Sequence, residues 1–196
     1  MIDYTKLPIV GHVLIREVNT NKILVDKFNS INFENFSIAL ARSISNRSDG
    51  WIYQMVFGNG AATVGGTGTI TYLSPNIIGQ GAQLYNETFN KIVDDQSSDN
   101  TDPANNYITI AHAASTTYTD VIIKCTLNLG EPVGQDAFDN STSLTSNYVF
   151  NELGLKAYGG ISTPAGSLLT HVIFSPVTKS LNRIIEVVYT IRIQTV

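Results

Sequence analysis

The segment Asn182–Gln194 constrains the fold more than any other part of this sequence. Ile185, Val187, Tyr189, Ile191 and Ile193 alternate there with Ile184, Glu186, Val188, Thr190, Arg192 and Gln194. A side-chain period of two puts the first set on one face of a strand and the second on the other, whereas a helix would scatter both around its circumference. The alternation ends two residues before the C-terminus, so the chain is expected to close by adding a strand to a sheet. Ile184 and Val188 make the second face partly apolar as well, which places that strand inside the sheet rather than at its edge.

Upstream, the same reading recurs in shorter pieces. Ile9–Val18 and Lys22–Phe28 flank Asn19-Thr-Asn21 and predict a hairpin, because Asn tolerates the positive φ that such turns need. Phe33, Phe36, Leu40 and Ile44 follow helical spacing, with Asn32 as N-cap and Gly50 beyond the end. This predicts one amphipathic helix over 33–46 whose exposed side carries Glu34, Asn35 and Arg42. Trp51–Phe57 is rich in aromatic and branched residues and reads as a core strand. Further strands are expected at 84–93, 107–113, 119–129, 147–155 and 168–174, with an exposed polar loop over 94–106. Such short β runs separated by turns predict a single all-β domain over 1–196, an antiparallel, jelly-roll-like β-sandwich.

Composition narrows the function. Charged residues make up 14% of the chain and the net charge is -4, against roughly 25% charged in an ordinary soluble domain. Neutral Asn, Ser, Thr and Gln must then supply the polar surface, as suits a subunit that buries neutral faces against neighbours. Without a Lys/Arg cluster the field does not favour nucleic acid or an anionic membrane. Met1–Pro8 lacks the basic and apolar regions of a signal peptide, and no apolar run approaches the roughly 20 residues of a membrane-spanning helix. Cys125 is in register with Val121, Ile123, Leu127 and Leu129, which reads as a core position rather than a nucleophile.

Chemistry-bearing motifs are weak. Gly60 and Gly65 have the first spacing of a phosphate loop, but position 66 is Gly where the cation is required, and Thr63 breaks a dinucleotide pattern begun by Gly58 and Gly60. Asp94, Asp95, Asp99 and Asp102 lack the alternating ligands of a calcium loop and read as a solvated turn. His12, His112 and His171 stand singly on separate strands, with no ligand pair at short spacing. A glycosidase needs two acids about 5 to 10 Å apart, for which Glu87, Glu131, Glu152 and Glu186 qualify by default; the simplest role for Glu152 is a cross-strand polar contact. The sequons at Asn46, Asn86 and Asn140 are expected by chance in so Asn-rich a chain. The sequence thus implies no enzyme, cofactor or metal.

The region 58–82 is too rich in glycine, with Pro75 as well, to be an element interior and predicts a long loop or arm. Its candidate partner-binding residues are Gly58, Asn59, Gly60, Gly65, Gly66, Thr67, Gly68, Tyr72, Pro75 and Asn76. Ordering the arm costs about 1 to 2 kcal/mol per residue, so it is expected to be mobile in a free subunit and ordered against a neighbouring copy.

Phe150-Asn-Glu-Leu-Gly-Leu155, then Leu168–Phe174 and Asn182–Gln194, resembles strands of tailed-bacteriophage virion proteins of the tail-collar, fibre-attachment and neck type. Phe33–Arg47 followed by Trp51–Gly60, ending in Phe-Gly-Asn-Gly, is similar to phage structural proteins in which a helix leads into such a strand. The resemblance covers about half of the chain and implies a repeated, non-enzymatic virion part that forms homo-oligomers and contacts other virion proteins. Capsid decoration and a carbohydrate-binding module for host recognition are the alternatives. The latter would need exposed Trp and Tyr on a concave face, and Trp51 is the one tryptophan available.

Overall fold

The computed structural model describes residues 7–135, 144, 146–163 and 165–195; the Asn140 sequon and the first six residues lie outside them. The elements are β1 (Ile9–Glu17), β2 (Ile23–Phe28), β3 (Ser30–Ile31), α1 (Phe33–Ile44), β4 (Ile52–Gly58), β5 (Ala62–Val64), β6 (Ile70–Tyr72), β7 (Glu87–Ile92), β8 (Tyr107–Ala111), β9 (Tyr118–Leu127), β10 (Val149–Tyr158), β11 (Ala165–Thr178) and β12 (Ile185–Gln194). Two antiparallel five-stranded sheets form a sandwich, one in the order β2-β1-β12-β9-β8 and the other β3-β11-β10-β4-β7. A third, two-stranded sheet pairs β5 with β6.

β12 is the centre of the first sheet, in register from Ile9↔Ile193 on β1 and from Ile185↔Leu127 on β9. Its odd-numbered residues Ile185, Val187, Tyr189 and Ile191 are buried. They meet Met55, Phe57, Leu153, Leu155, Val172 and Phe174 of the second sheet in one continuous core. Cys125 lies in that core as expected, and burial pushes its thiol up to about 12. The first hairpin also turns as its sequence requires, with Asn21 at φ 55.

Three expectations change. α1 has its expected N-cap, the Asn32 side chain accepting from the Asn35 N–H at 3.1 Å, but the helix stops at Ile44 and buries Asn35, Phe36 and Ala39 while Phe33 and Ile44 are exposed. A single apolar stripe through 33, 36, 40 and 44 misses this because the buried face is partly polar: Asn35 donates to the Leu168 carbonyl at 2.9 Å. The 94–106 loop is folded rather than merely solvated. Asn100 and Asn106 are buried in it, Asn100 donating to the Asn106 carbonyl at 2.8 Å and Asn106 accepting from the Thr126 N–H at 2.9 Å. Finally, the glycine-rich region folds back onto its own domain. Ala82 and Leu84 pack on Val56 and Leu168 in a second, smaller apolar cluster. They reach β10 closely because Gly154 lacks a side chain; a Cβ there would stand 2.7 Å from Leu168 and 3.4 Å from Leu84.

A fully buried side chain of this size contributes about 1.5 to 3 kcal/mol, and a domain holds about 5 to 15 kcal/mol in total. Val187→Asp, which also buries an unpaired carboxylate, is therefore expected to abolish the cooperative thermal transition seen by circular dichroism. A sharp melt in this variant would show that β12 is not the centre of the sheet.

Candidate functional site

Two places concentrate polar chemistry. The first is a buried clamp around Glu152, in the middle of β10. A β-strand that carries Asn-Glu among apolar residues must find partners for both, and here the partners come from the glycine-rich region. Glu152 Oε1 accepts from the N–H groups of Gly60 and Asn86, each at 2.9 Å, and Oε2 accepts from the Tyr85 N–H at 2.9 Å. His171 on neighbouring β11 places Nε2 3.0 Å from Oε2, and both side chains are wholly buried. The Asn76 N–H donates to His171 Nδ1 at 2.8 Å. A backbone N–H can only donate, so Nδ1 accepts and the ring proton sits on Nε2, donated to the carboxylate. Asn151 continues the pattern, accepting from the Ala61 N–H at 3.1 Å and donating to the Asn59 carbonyl at 3.2 Å.

Burial pushes the Glu152 carboxyl up, but the bond from His171 and the N–H groups of Tyr85, Asn86 and Gly60 together outweigh it and hold the group below its ordinary value. The glycines of Phe-Gly-Asn-Gly are required by this approach: a Cβ on Gly58 would stand 2.7 Å from Glu152 Oε1, and one on Gly60 2.7 Å from the Asn86 nitrogen. The carboxylate's acceptor sites are thus filled by protein donors in a place closed to solvent, which suits it to holding chain rather than substrate.

Sequence reasoning proposed Glu152 for a cross-strand contact and left His171 isolated; the fold joins them. The other three acids each take a cation as partner, Glu87 lying two strands from Glu152 with both opposite Gly58 of β4. Glu87 pairs with Lys156 at 2.7 Å, Glu131 with Lys91 at 2.7 Å, and Glu186 on the other sheet with Lys124 at 2.5 Å and with Arg16. His12 pairs with Asp26 at 2.7 Å, and His112 lies 3.1 Å from the Tyr118 carbonyl. Among the described residues no group of three His, Cys, Asp or Glu is placed to hold a metal ion.

Of the proposed arm residues, Gly58, Asn59 and Gly60 enter the clamp and Asn76 is bonded to His171. Pro75 lines a groove beside His171 and Phe28. Gly65, Gly66, Thr67 and Gly68 form the turn between β5 and β6, with Gly68 at φ 79 and Gly65 N–H donating to the Thr69 carbonyl at 2.9 Å. Tyr72 on β6 is exposed, as are Val64 and Ile70 on the same hairpin. The Leu73 N–H donates to the Ala61 carbonyl at 2.9 Å and closes the hairpin's own ladder, while the Ala61 N–H, bonded to Asn151 Oδ1 at 3.1 Å, ties this base to β10. The signal for this arrangement was present as the co-occurrence of Asn151-Glu152 in an apolar strand with closely spaced glycines, but nothing local says that the two segments meet.

The second place is a cleft of about 1030 Å³ between α1, β8 and the 94–99 turn. Trp51 was expected in the core and instead stands at the mouth of this cleft, 37% exposed, stacked on Tyr158 with ring centroids 4.7 Å apart. The bend at Trp51 precedes β4, so its ring escapes the alternation that buries Tyr53 and Met55. Asp94 Oδ2 accepts from Trp51 Nε1 at 2.9 Å and Asp99 Oδ2 accepts from the Tyr53 hydroxyl at 2.6 Å. Burial, aided by Asp99, pushes the Tyr53 phenol up to about 12, so it stays a donor.

The chain matches no protein-family model, no curated protein and no solved structure.

Glu152→Gln replaces one acceptor with a donor that faces other donors. Each buried group so orphaned costs about 1 to 3 kcal/mol, so urea unfolding is expected to show a loss of about 3 kcal/mol, with the glycine-rich region the first part cut by protease. The pH dependence has a defined sign. With a folded pKa below the unfolded value of about 4.3, the clamp contributes fully above that value and its contribution is lost as pH falls through the folded pKa. Wild type should therefore lose stability on acidification below about pH 4 more steeply than the Gln variant; parallel profiles would mean that the carboxylate is not held as described.

Proposed function

We propose that the protein is a non-enzymatic structural component of a bacteriophage particle, made in the host cytoplasm and built into the virion at the neck, collar or tail-fibre attachment region through repeated subunit contacts. One observation carries this reading. The β5–β6 hairpin carries exposed Val64, Ile70 and Tyr72 on a base tied to the domain body by buried Ala61, whose N–H donates to Asn151 Oδ1 of β10. A hairpin held in this way presents apolar surface without having to be ordered first, which lowers the entropic cost of association. Phe28 on the outermost strand β2 is 69% exposed and lines a groove with Tyr72 and Leu73, extending the apolar surface beyond the hairpin. Exposed apolar patches of this kind mark protein contacts, and a heterologous contact from hairpin to neighbouring body repeats from copy to copy, closing into a ring where the rotation per subunit divides a full turn. The low charge of the chain supports the same conclusion, as does the likeness of its strands to virion proteins.

Capsid decoration is the nearest variant of this reading. A carbohydrate-binding module has one observation of its own in its favour, the exposed Trp51–Tyr158 pair on a concave surface.

Sedimentation of the purified protein tests the proposal. Wild type is expected to form a homo-oligomer, and Ile70→Asp with Tyr72→Asp to be monomeric with an unchanged melting temperature, since both side chains are exposed. Peptides of this chain are also expected in the mass fingerprint of purified particles. A monomeric wild type whose peptides are missing from particles would remove the proposal.

A further inference from the structure

The cleft beside Trp51 has a composition that selects its occupant, independently of any place in a virion. Its floor is aliphatic and aromatic: Phe36 and Leu40 from α1, Ile108 and Ile110 from β8, and Ile191 and Ile193 from β12. Its rim carries Asp94, Asp95 and Asp99, while no Lys, Arg or His lines it among the described residues. A neutral sugar would find the aromatic pair but would leave most of that aliphatic floor without a partner. A fatty chain would fill the floor but bring its own anionic head to three carboxylates. An apolar body bearing positive charge satisfies both surfaces.

The edge of the sheet supplies a third constraint. β8 is the outermost strand of its sheet, and Ile110 on it is 74% exposed. The Ile108 N–H on its free edge is capped by Asp95 Oδ1 at 3.3 Å. The backbone of Ile110, two residues on, faces the same free edge by the alternation of an antiparallel strand. An extended segment laid along this edge beyond the Asp95 cap would pair with the backbone of Ile110 and send every second side chain over the apolar floor. We infer that the cleft binds an extended segment of a partner protein, in which bulky aliphatic residues alternate with lysine or arginine, adding as a strand to β8. The aliphatic side chains enter the cleft, while the alternate cations leave on the opposite face and lie within the acidic field of Asp94, Asp95 and Asp99, which favours encounter and register.

Trp51 reports occupancy directly, because it is the one tryptophan in the chain and stands at the cleft mouth. The full chain is titrated, following Trp51 emission, with Trp-free decapeptides in which leucine and valine alternate with lysine, glutamate or serine. A cellulose-type hexasaccharide and decanoate serve as competing ligand classes. The lysine peptide is expected to saturate the signal and to bind at least about tenfold more tightly than the glutamate peptide, with the difference collapsing in about 1 M salt, where screening acts within about 3 Å. Asp95→Asn, which retains an acceptor for the Ile108 N–H, is expected to weaken the lysine peptide about fivefold. Ile110→Arg, at an exposed position, is expected to abolish binding with the thermal melt unchanged. Equal affinity for the lysine and glutamate peptides overturns the inference. So do saturation by the sugar or the fatty acid in place of the lysine peptide, lysine-peptide binding untouched by both substitutions, and the absence of any saturable signal.

Discussion

A buried carboxylate in the centre of a sheet must be surrounded by donors or it cannot stay charged, and Glu152 meets that requirement by drawing a distant stretch of chain over the sheet. Its four partners come from Gly60, Tyr85, Asn86 and His171. Three are backbone groups of the glycine-rich stretch and the residues that follow it. Hydrogen bonds to a charged acceptor are stronger than neutral ones, and here they offset the entropy of ordering glycine-rich chain. The segment that sequence composition would assign to disorder thereby becomes the cover of the outer face of the second sheet.

That cover changes what the sandwich can present. A two-sheet sandwich normally shows an outer polar face on each sheet, but β10 is buried on both of its faces over most of its length. Leu153 and Leu155 face the core while Glu152 and Gly154 face the glycine-rich cover. The β5–β6 hairpin, whose base adjoins the clamp through the Ala61–Asn151 bond, leaves Val64, Ile70 and Tyr72 exposed outside this cover. On the opposite side of the molecule's chemistry, the knitted 94–106 loop fixes the Asp94 and Asp99 carboxylates against Trp51 and Tyr53, so the cleft has a rigid acidic rim rather than a solvated turn.

How legible each part was in the sequence depends on how local its causes are. β12 was readable because ten successive residues alternate and nothing else satisfies that pattern. The Asn21 turn and the Asn32 cap were readable because each is set locally, the turn by Asn21's tolerance of positive φ and the cap by the Asn32 side chain accepting an N–H three residues on. The face of α1 was misread because Asn35 owes its burial to a carbonyl 133 residues away, and Trp51 because a bend before β4 turns its ring out of the strand's alternation. The clamp depends on contacts between residues up to 95 positions apart. Composition registered its glycines as freedom, when Gly58 and Gly60 are small because the carboxylate and its partners occupy the space a side chain would need.

Amide hydrogen exchange followed residue by residue at neutral pH tests the clamp most directly, because its donors are themselves backbone N–H groups. The N–H groups of Gly60, Asn76, Tyr85 and Asn86 are predicted to be protected in the free protein to nearly the level of the β10 amides, and to lose that protection together when Glu152 is replaced. Exchange of these four at the rate of an open loop in the wild-type protein would contradict the account, since the glycine-rich region would then be unattached to the sheet that it is held to cover.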